Sequence, residues 1–309
     1  MPAKTKRNNN SADIAVVDIG SNSVRLVIYR LTGKKHELIH EKKAVCGLAR
    51  GLHHAQPRLN RKGMVLSLKE LRKFRRILRK RKMTKVLAIG TAAMRAVART
   101  KKGRAFHQRA ERALGHRIKI ISGRKEAKLT ALGMIPALPR TTGICGDLGG
   151  GSLELASISR GRVGHTVTLA LGSLTLITES GGNPIKAEAL MQARLNRVGW
   201  LGKAKGQTFF PIGGSWRAVA RVMMRMQGRK IRPVHGYAIN AVRAKKYAEL
   251  IARKKPRVFR KMHKKIRHRA NVIPFAAAAL AELIARMRPA RIVFSAHGVR
   301  EGVVRAYQG

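Results

Sequence analysis

Two stretches of this chain can be laid on one another residue for residue. Asp18-Ile19-Gly20-Ser21-Asn22-Ser23-Val24-Arg25-Leu26 and Asp147-Leu148-Gly149-Gly150-Gly151-Ser152-Leu153-Glu154-Leu155 run at a constant offset of 129, with Asp, Gly, Ser and Leu coinciding. Each follows an apolar strand and leads into another. One Gly-rich turn between two strands calls for nothing beyond a tight hairpin. Two at a matched offset constrain more, because they describe two related halves, each offering a hairpin turn to a shared cleft. A length of 309 residues accommodates two domains, at about 100–200 residues per domain.

The rest of the pattern agrees with an α/β class. Residues 65–82 carry Val65, Leu66, Leu68, Leu71, Phe74, Ile77 and Leu78 at helical spacing with a basic outer face. "KVLAIGTAAMRAVA" (85–98) reads as a strand, a turn and the start of a helix, "RIKIISG" (117–123) as a strand, and "RKEAKLTALGMI" (124–135) as a helix. Strands "TFFPIGG" and "RIVFSAHG" alternate with helices over 240–253 and 274–287. The expected division is a polar, basic tail at 1–12, one domain over 13–130 and a second over 131–309. The boundary is set by "LTALGMIPALPRT" (129–141), where a helix runs into a Pro-containing connector.

Composition excludes several classes. The longest apolar run, "FAAAALAELIARM" (275–287), meets Glu282 and Arg286 before the ~20 apolar residues that a membrane span needs. No apolar segment follows the basic N-terminus, so no secretory signal is expected. Cys46 and Cys145 cannot build a disulfide framework or a four-cysteine zinc site. A reducing compartment, the cytoplasm, is expected. The charge is the unusual number: 67 Lys+Arg stand against 14 Asp+Glu, a net +53. Such a field attracts polyanions and makes the compact state repel itself. The basic residues are spread along the whole chain, as in a global surface property, so non-specific nucleic-acid binding is expected. No zinc spacing accompanies it, and aromatic residues make up only 4%.

In the two turns, small residues let backbone N–H groups converge into a nest that binds phosphate oxygens. Ser23 and Ser152 add hydroxyls. Asp18 and Asp147 stand just before the turns, where a carboxylate beside a phosphate cradle makes sense with Mg²⁺ between them. Glu126 falls in the first turn of a helix. It is either a carboxylate stabilised by the helix dipole or a general base for water attacking phosphorus. Arg95 follows a strand-turn, and its planar fork suits phosphate. In "PIGGSWRAVARV" (211–222), Trp216 reads as core.

Taken in order, "VVDIGSNSVRLVIY", "GTAAMRAVA", "ISGRKEAKLTALG", "GDLGGGSLEL", "TLALGSLTLI", "PIGGSWRAVAR", "VHGYAI", "VIPFAAAALAELI" and "VFSAHGVREGVV" resemble the exopolyphosphatase / guanosine pentaphosphate phosphohydrolase family over about residues 13–305. The likeness is to its two-domain, alphaproteobacterial-type members, in the superfamily of actin and hexokinase. It implies two ribonuclease-H-like domains with a cleft between them. It implies hydrolysis of terminal phosphate from inorganic polyphosphate with Mg²⁺, or alternatively of guanosine pentaphosphate; a non-catalytic polyanion binder is the rival outside enzymes. A homodimer is compatible with it. By position, the resemblance makes Glu126 the catalytic base and Arg95 a phosphate-facing arginine. Gly20, Ser21, Asn22 and Ser23 become one phosphate loop, and Gly149, Gly150, Gly151 and Ser152 the other. Asp147, Glu154 and Asp18 become the metal-supporting carboxylates. Five of the 14 acids, Asp18, Glu126, Asp147, Glu154 and Glu301, remain at motif positions. There are departures. Arg124 and Lys125 flank the base and are expected to hold it ionised and lower its basicity. Thr175 stands where Arg is frequent, Asn271 where Asp is usual and Ala276 where Gly is frequent.

Overall fold

The computed structural model describes residues 11–53, 55, 57–138 and 141–308. In the first half, β1 (Ser11–Ile19), β2 (Ser23–Thr32) and β3 (Lys35–Val45) form an antiparallel meander. After it come α1 (Arg61–Lys80), β4 (Lys85–Gly90), α2 (Ala92–Val97), α3 (Lys101–Leu114), β5 (Ile118–Ile120) and α4 (Gly123–Met134). The second half opens with β6 (Gly143–Leu148), β7 (Leu153–Ser159), β8 (Arg162–Leu169), α5 (Ser173–Glu179) and α6 (Pro184–Leu195). A 3₁₀ turn at Gly199–Ala204 precedes β9 (Thr208–Ile212), α7 (Gly214–Met226), β10 (Ala238–Asn240) and α8 (Ala241–Ala252). The chain ends with α9 (Pro256–Arg260), α10 (Lys264–Arg267), α11 (Ile273–Met287), β11 (Arg291–Val293) and α12 (Val299–Tyr307).

The two sheets repeat one plan. The first has the order β3-β2-β1-β4-β5 and the second β10-β11-β9-β6-β7-β8. In each, a three-stranded meander is joined by a parallel strand beside its first member, β4 on β1 and β9 on β6. Asp18 lies opposite Arg25 across the first hairpin, and Asp147 opposite Glu154 across the second. The turns close with the same bond, Gly20 N–H to the Ser23 carbonyl and Gly149 N–H to the Ser152 carbonyl, both 3.0 Å. The internal repeat is therefore a repeat of structure.

Period-2 patterning explains the burial. Val17, Ile19, Val24, Leu26 and Ile28 meet α1 and α3 on one face of the first sheet through Leu71, Phe74, Phe106 and Leu114. The opposite face, Ile14, Val16, Val27 and Tyr29, is covered by Val299, Val303 and Val304 of α12, from the far end of the chain. The converse also holds. Ala127, Ala131 and Met134 of α4 cover Cys145, Ala156, Phe210 and Ile212 of the second sheet. Each half thus ends in a helix that caps the other half's sheet. The two helices cross at glycines: a Cβ at Gly133 would run into the Gly298 carbonyl, and one at Gly302 into the Leu129 carbonyl. The largest core belongs to the second half, where α11 packs among α6, α7 and α8.

Several boundaries differ from those expected. Strand β1 begins at Ser11, so residues 11–12 belong to the sheet rather than to a tail; 1–10 lie outside the described residues. The division at 130/131 falls inside α4, which spans the halves. Strands β3 and β8 and helices α3 and α12 are not among the expected elements, although α3 buries Phe106, Ala110 and Ala113 at helical spacing. The meander's outer strand β3 is mostly exposed, so its apolar positions do not alternate. Trp216 is fully buried, and its indole N–H donates to the Ala276 carbonyl at 2.8 Å, in keeping with a core residue. Both cysteines are buried and free. Among the described residues no helix is long and apolar enough to cross a membrane.

Candidate active site

The two hairpin turns face each other across the cleft between the sheets. A Cβ on Gly151 would come 2.5 Å from the Ser21 hydroxyl oxygen, and one on Gly150 would come 3.1 Å from the Ser21 Cβ. Only glycine allows that approach. The turn carbonyls point away from the cleft and are bonded there. Asn22 O accepts from Cys46 and Gly47, and Ser21 O from Ala49. Gly149 O accepts from Ser173, and Gly150 O from Leu174 and Thr175. The Thr175 hydroxyl donates to Gly151 O at 2.9 Å, so this departure from the family pattern braces the second loop from behind. With the carbonyls held outward, and the Gly20 and Gly149 N–H groups spent on closing the turns, the N–H groups between them, at Ser21 and Asn22 and at Gly150 and Gly151, are left to form an anion nest. All eight turn residues line one cavity, together with Asp18, Asp147 and Glu126.

Helix α4 delivers Glu126. Ser122 caps it, accepting from the Lys125 N–H at 3.2 Å, and this sets Glu126 in the first turn with its side chain inward. Burial pushes its carboxyl well above the ordinary range, and the Glu154 charge adds to the rise; Arg95 opposes both. Arg124 and Lys125 lie exposed on the outer side of the same turn. They do not hold Glu126 ionised, and the expected loss of basicity is reversed. Desolvation makes Glu126 a stronger base than a free glutamate.

Arg95 does not line the cavity. Its guanidinium donates to Glu126 Oε2 at 2.8 Å, to the Ile121 carbonyl at 3.0 Å and to Glu154 Oε1 at 3.4 Å. Glu154, 2% exposed, is likewise set back from the cavity and also accepts from the Thr168 hydroxyl at 2.7 Å. Burial raises its carboxyl, against hydrogen bonds from Ser152 and Thr168. Glu126, Arg95 and Glu154 thus form a chain in which only Glu126 reaches the cleft.

Asp18 and Asp147 close the ends of β1 and β6 inside the cleft. Burial raises both carboxyls, Asp147 to about 6, and each is opposed by Arg300. Arg300 approaches Asp18 Oδ2 at 3.5 Å. Room beside Asp147 is kept by missing side chains: a Cβ on Gly213 would lie 2.5 Å from Oδ1, and one on Gly298 3.8 Å from Oδ2. Among the described residues no three or more His, Cys, Asp or Glu are grouped to hold a metal ion. A pair of carboxylates with open space beside them fits Mg²⁺, which takes one or two carboxylates and completes its shell with phosphate oxygens and water.

The structure adds five cations that sequence reasoning did not single out: Arg25, Lys43, Arg217, Arg269 and Arg300 all line the cavity. They come from β2, β3, α7, the turn before α11, and α12. Burial lowers Arg217 and Arg269 to about 10, with neighbouring arginines adding to the effect. Arg25 is paired with Glu41 at 2.8 Å and Arg300 with Asp18 at 3.5 Å, while Lys43, Arg217 and Arg269 have no ion pair among the described residues. Arg25, Arg217 and Arg300 had a signal in their motifs, each standing just after a glycine or serine turn. Lys43 and Arg269 had none among 67 basic residues. Glu301 beside Arg300 is structural: it accepts from the Tyr29 hydroxyl at 2.6 Å and from the Gly298 N–H at 2.7 Å. Asn271, another departure, accepts from Arg260 at 3.1 Å outside the cavity.

Two α/β halves of one plan thus bring paired glycine turns, a buried glutamate and five cations to a single cavity suited to phosphate. The chain belongs to the Ppx/GppA phosphatase family, whose pattern matches residues 27–307. It is 29% identical over 182 residues (59% of this chain, 36% of the relative) to a guanosine-5'-triphosphate,3'-diphosphate pyrophosphatase of Aeromonas hydrophila. It is also 29% identical over 151 residues (48% of this chain, 46% of the relative) to a putative exopolyphosphatase of Haemophilus influenzae. The matches span less than half the length of these curated relatives. An exopolyphosphatase from Cytophaga hutchinsonii shares the fold, with a TM-score of 0.84 at 20% identity over 96% of this chain and 97% of that one.

Proposed function

We propose that this phosphatase removes the terminal phosphate of inorganic polyphosphate. One observation carries the choice of substrate: among the described residues lining the cleft, five are cations and none is aromatic. That lining suits a chain of phosphates and offers no ring on which a guanine would stack. The name of the Haemophilus relative agrees. The name of the Aeromonas relative favours guanosine pentaphosphate, the second reading.

The two turns hold the terminal phosphates through their free N–H groups and the hydroxyls of Ser21 and Ser23. Glu126 takes the proton of the attacking water, for which its raised basicity is an advantage. Arg95 points the Glu126 carboxylate, and Glu154 with Thr168 holds Arg95. The arginines of the cleft counter the charge on the equatorial oxygens, the main task in phosphoryl transfer. Asp18 and Asp147 would hold Mg²⁺, which when bound neutralises phosphate charge.

The test is phosphate release from long polyphosphate and from guanosine pentaphosphate, side by side, with and without Mg²⁺, for the native chain and Glu126→Gln. Release from polyphosphate that is lost in Glu126→Gln supports the reading. Faster release from the nucleotide favours the second reading. No release from either, with polyphosphate binding intact, leaves a polyanion binder.

A further inference from the structure

We propose that a second cavity, on the second half of the chain and outside the cleft, is a stacking site for a base of single-stranded nucleic acid. It occupies about 710 Å³ between β6, β7, β8 and the 3₁₀ turn at Gly199–Ala204. It lies at the end of the sheet where β6 begins and β7 ends, away from the glycine turn that joins them. Its size falls within the roughly 300–1,000 Å³ of sites that enclose small ligands.

The lining is the reverse of the cleft's. Ile144, Ile158, Val163 and Ala204 make an apolar floor. The rings of Trp200 and His165 stand over it in an offset stack, with centroids 5.8 Å apart and planes 21° apart. Trp200 is partly exposed although it packs on the core, and His165 is exposed. Arg160, Arg162 and Lys203 form an exposed rim, and no carboxylate lines the site among the described residues. The Gln207 amide N–H donates to the Lys203 carbonyl at 3.1 Å, which leaves its oxygen free to accept from a base amino group.

Each part answers to one part of a nucleotide. An indole face with an adjoining imidazole takes a base by stacking, and every base has a π-face. Three cations around the rim take the flanking phosphates. The +53 charge of the chain draws any polyanion to the surface; this cavity supplies what polyphosphate cannot use, a flat aromatic wall. The inference is independent of the reaction in the cleft.

Fluorescence reads it directly. The chain has two tryptophans, and Trp216 is fully buried, so Trp200 is the one that a ligand can touch. Oligoadenylate, adenosine monophosphate and polyphosphate are titrated at about 0.15 M salt, where surface charges are screened beyond ~8 Å. Oligoadenylate should quench the emission, while polyphosphate of equal charge leaves it unchanged. Trp200→Leu and His165→Ala should each weaken oligoadenylate binding about tenfold, the scale of a lost base stack, with polyphosphate affinity unchanged. His165 is exposed, so its variant separates stacking from any folding defect at Trp200. Equal quenching by polyphosphate, or unchanged oligoadenylate affinity in both variants, would overturn the proposal. Monophosphate binding as tight as the oligomer would overturn the assignment to a strand.

Discussion

The Arg95 guanidinium sits 2.8 Å from the Glu126 carboxylate and opposes the burial that raises it. Arg95 is the nearest charge favouring the ionised base. Replacing it with Met should push the Glu126 carboxyl higher still. The acidic limb of the kcat/KM–pH profile should therefore move to higher pH, with kcat falling more than KM rises. A profile that drops in height without moving would show that Arg95 acts on phosphate rather than on the base.

Glu126→Gln should lower phosphate release by about 10²–10⁴-fold, the usual worth of a general base. Polyphosphate affinity should persist, because the turns and the arginines remain. In the native chain, activity should rise with pH through the raised Glu126 value, since only the carboxylate accepts a proton.

Asp147 is raised to about 6 from an ordinary 3.8, so the folded chain binds a proton between those values that the unfolded chain does not. Folding stability from this group therefore falls as pH rises through that window and stays low above it. Asp147→Asn should be more stable than the native chain at pH 7, on the order of 1–3 kcal/mol, and the gain should vanish near pH 4. The same variant should need more Mg²⁺ for phosphate release. Thermal melts at the two pH values and a Mg²⁺ titration check both, and equal melting temperatures at pH 7 would remove the argument.

Arg124 and Lys125 face outward. Arg124→Glu with Lys125→Glu should leave kcat and phosphate inhibition unchanged once salt screens the long-range field. A higher kcat at high salt would show that these side chains do reach Glu126.

Arg269 lines the cleft with no ion pair among the described residues, while Arg25 lines it paired with Glu41 at 2.8 Å. Alanine at either should weaken polyphosphate binding and reduce the slope of log affinity against log salt by about one. Removing Arg269 should also relieve repulsion among the remaining arginines, so its melting temperature should hold or rise, whereas removing Arg25 also unpairs Glu41. A steep fall in melting temperature on removing Arg269 would instead make it structural.

Much of this was legible in the sequence, and the reasons are local. The hairpins at 18–26 and 147–155 depend on a short run of small residues between apolar strands, which a linear pattern records well. Glu126 was visible because helix starts have their own code, here Ser122 three residues before Lys125. The partners of Glu126 were not visible. Arg95 and Glu154 meet it across 31 and 28 residues of sequence, in a geometry set by how α2, α4 and β7 pack. Their proximity ties Arg95 to Glu126 and Glu154 instead of to the cavity. The flanking Arg124 and Lys125 misled for the complementary reason: neighbours in sequence at a helix start point to different sides. The exchange of α4 and α12 between the sheets was equally out of reach, since it depends on glycines at 133 and 302 that read as ordinary helix positions.

One equivalence in the hairpins has a further meaning. Arg25 and Glu154 occupy the same register in their two turns, opposite Asp18 and Asp147. Doubling the first half would put an arginine at both places and leave none of the carboxylate that anchors Arg95. Doubling the second would put a glutamate at both and strip the cleft of a phosphate-facing cation. The two backbones follow one plan, but this register position has taken opposite signs, an arginine that lines the cleft in the first half and a glutamate that holds Arg95 in the second.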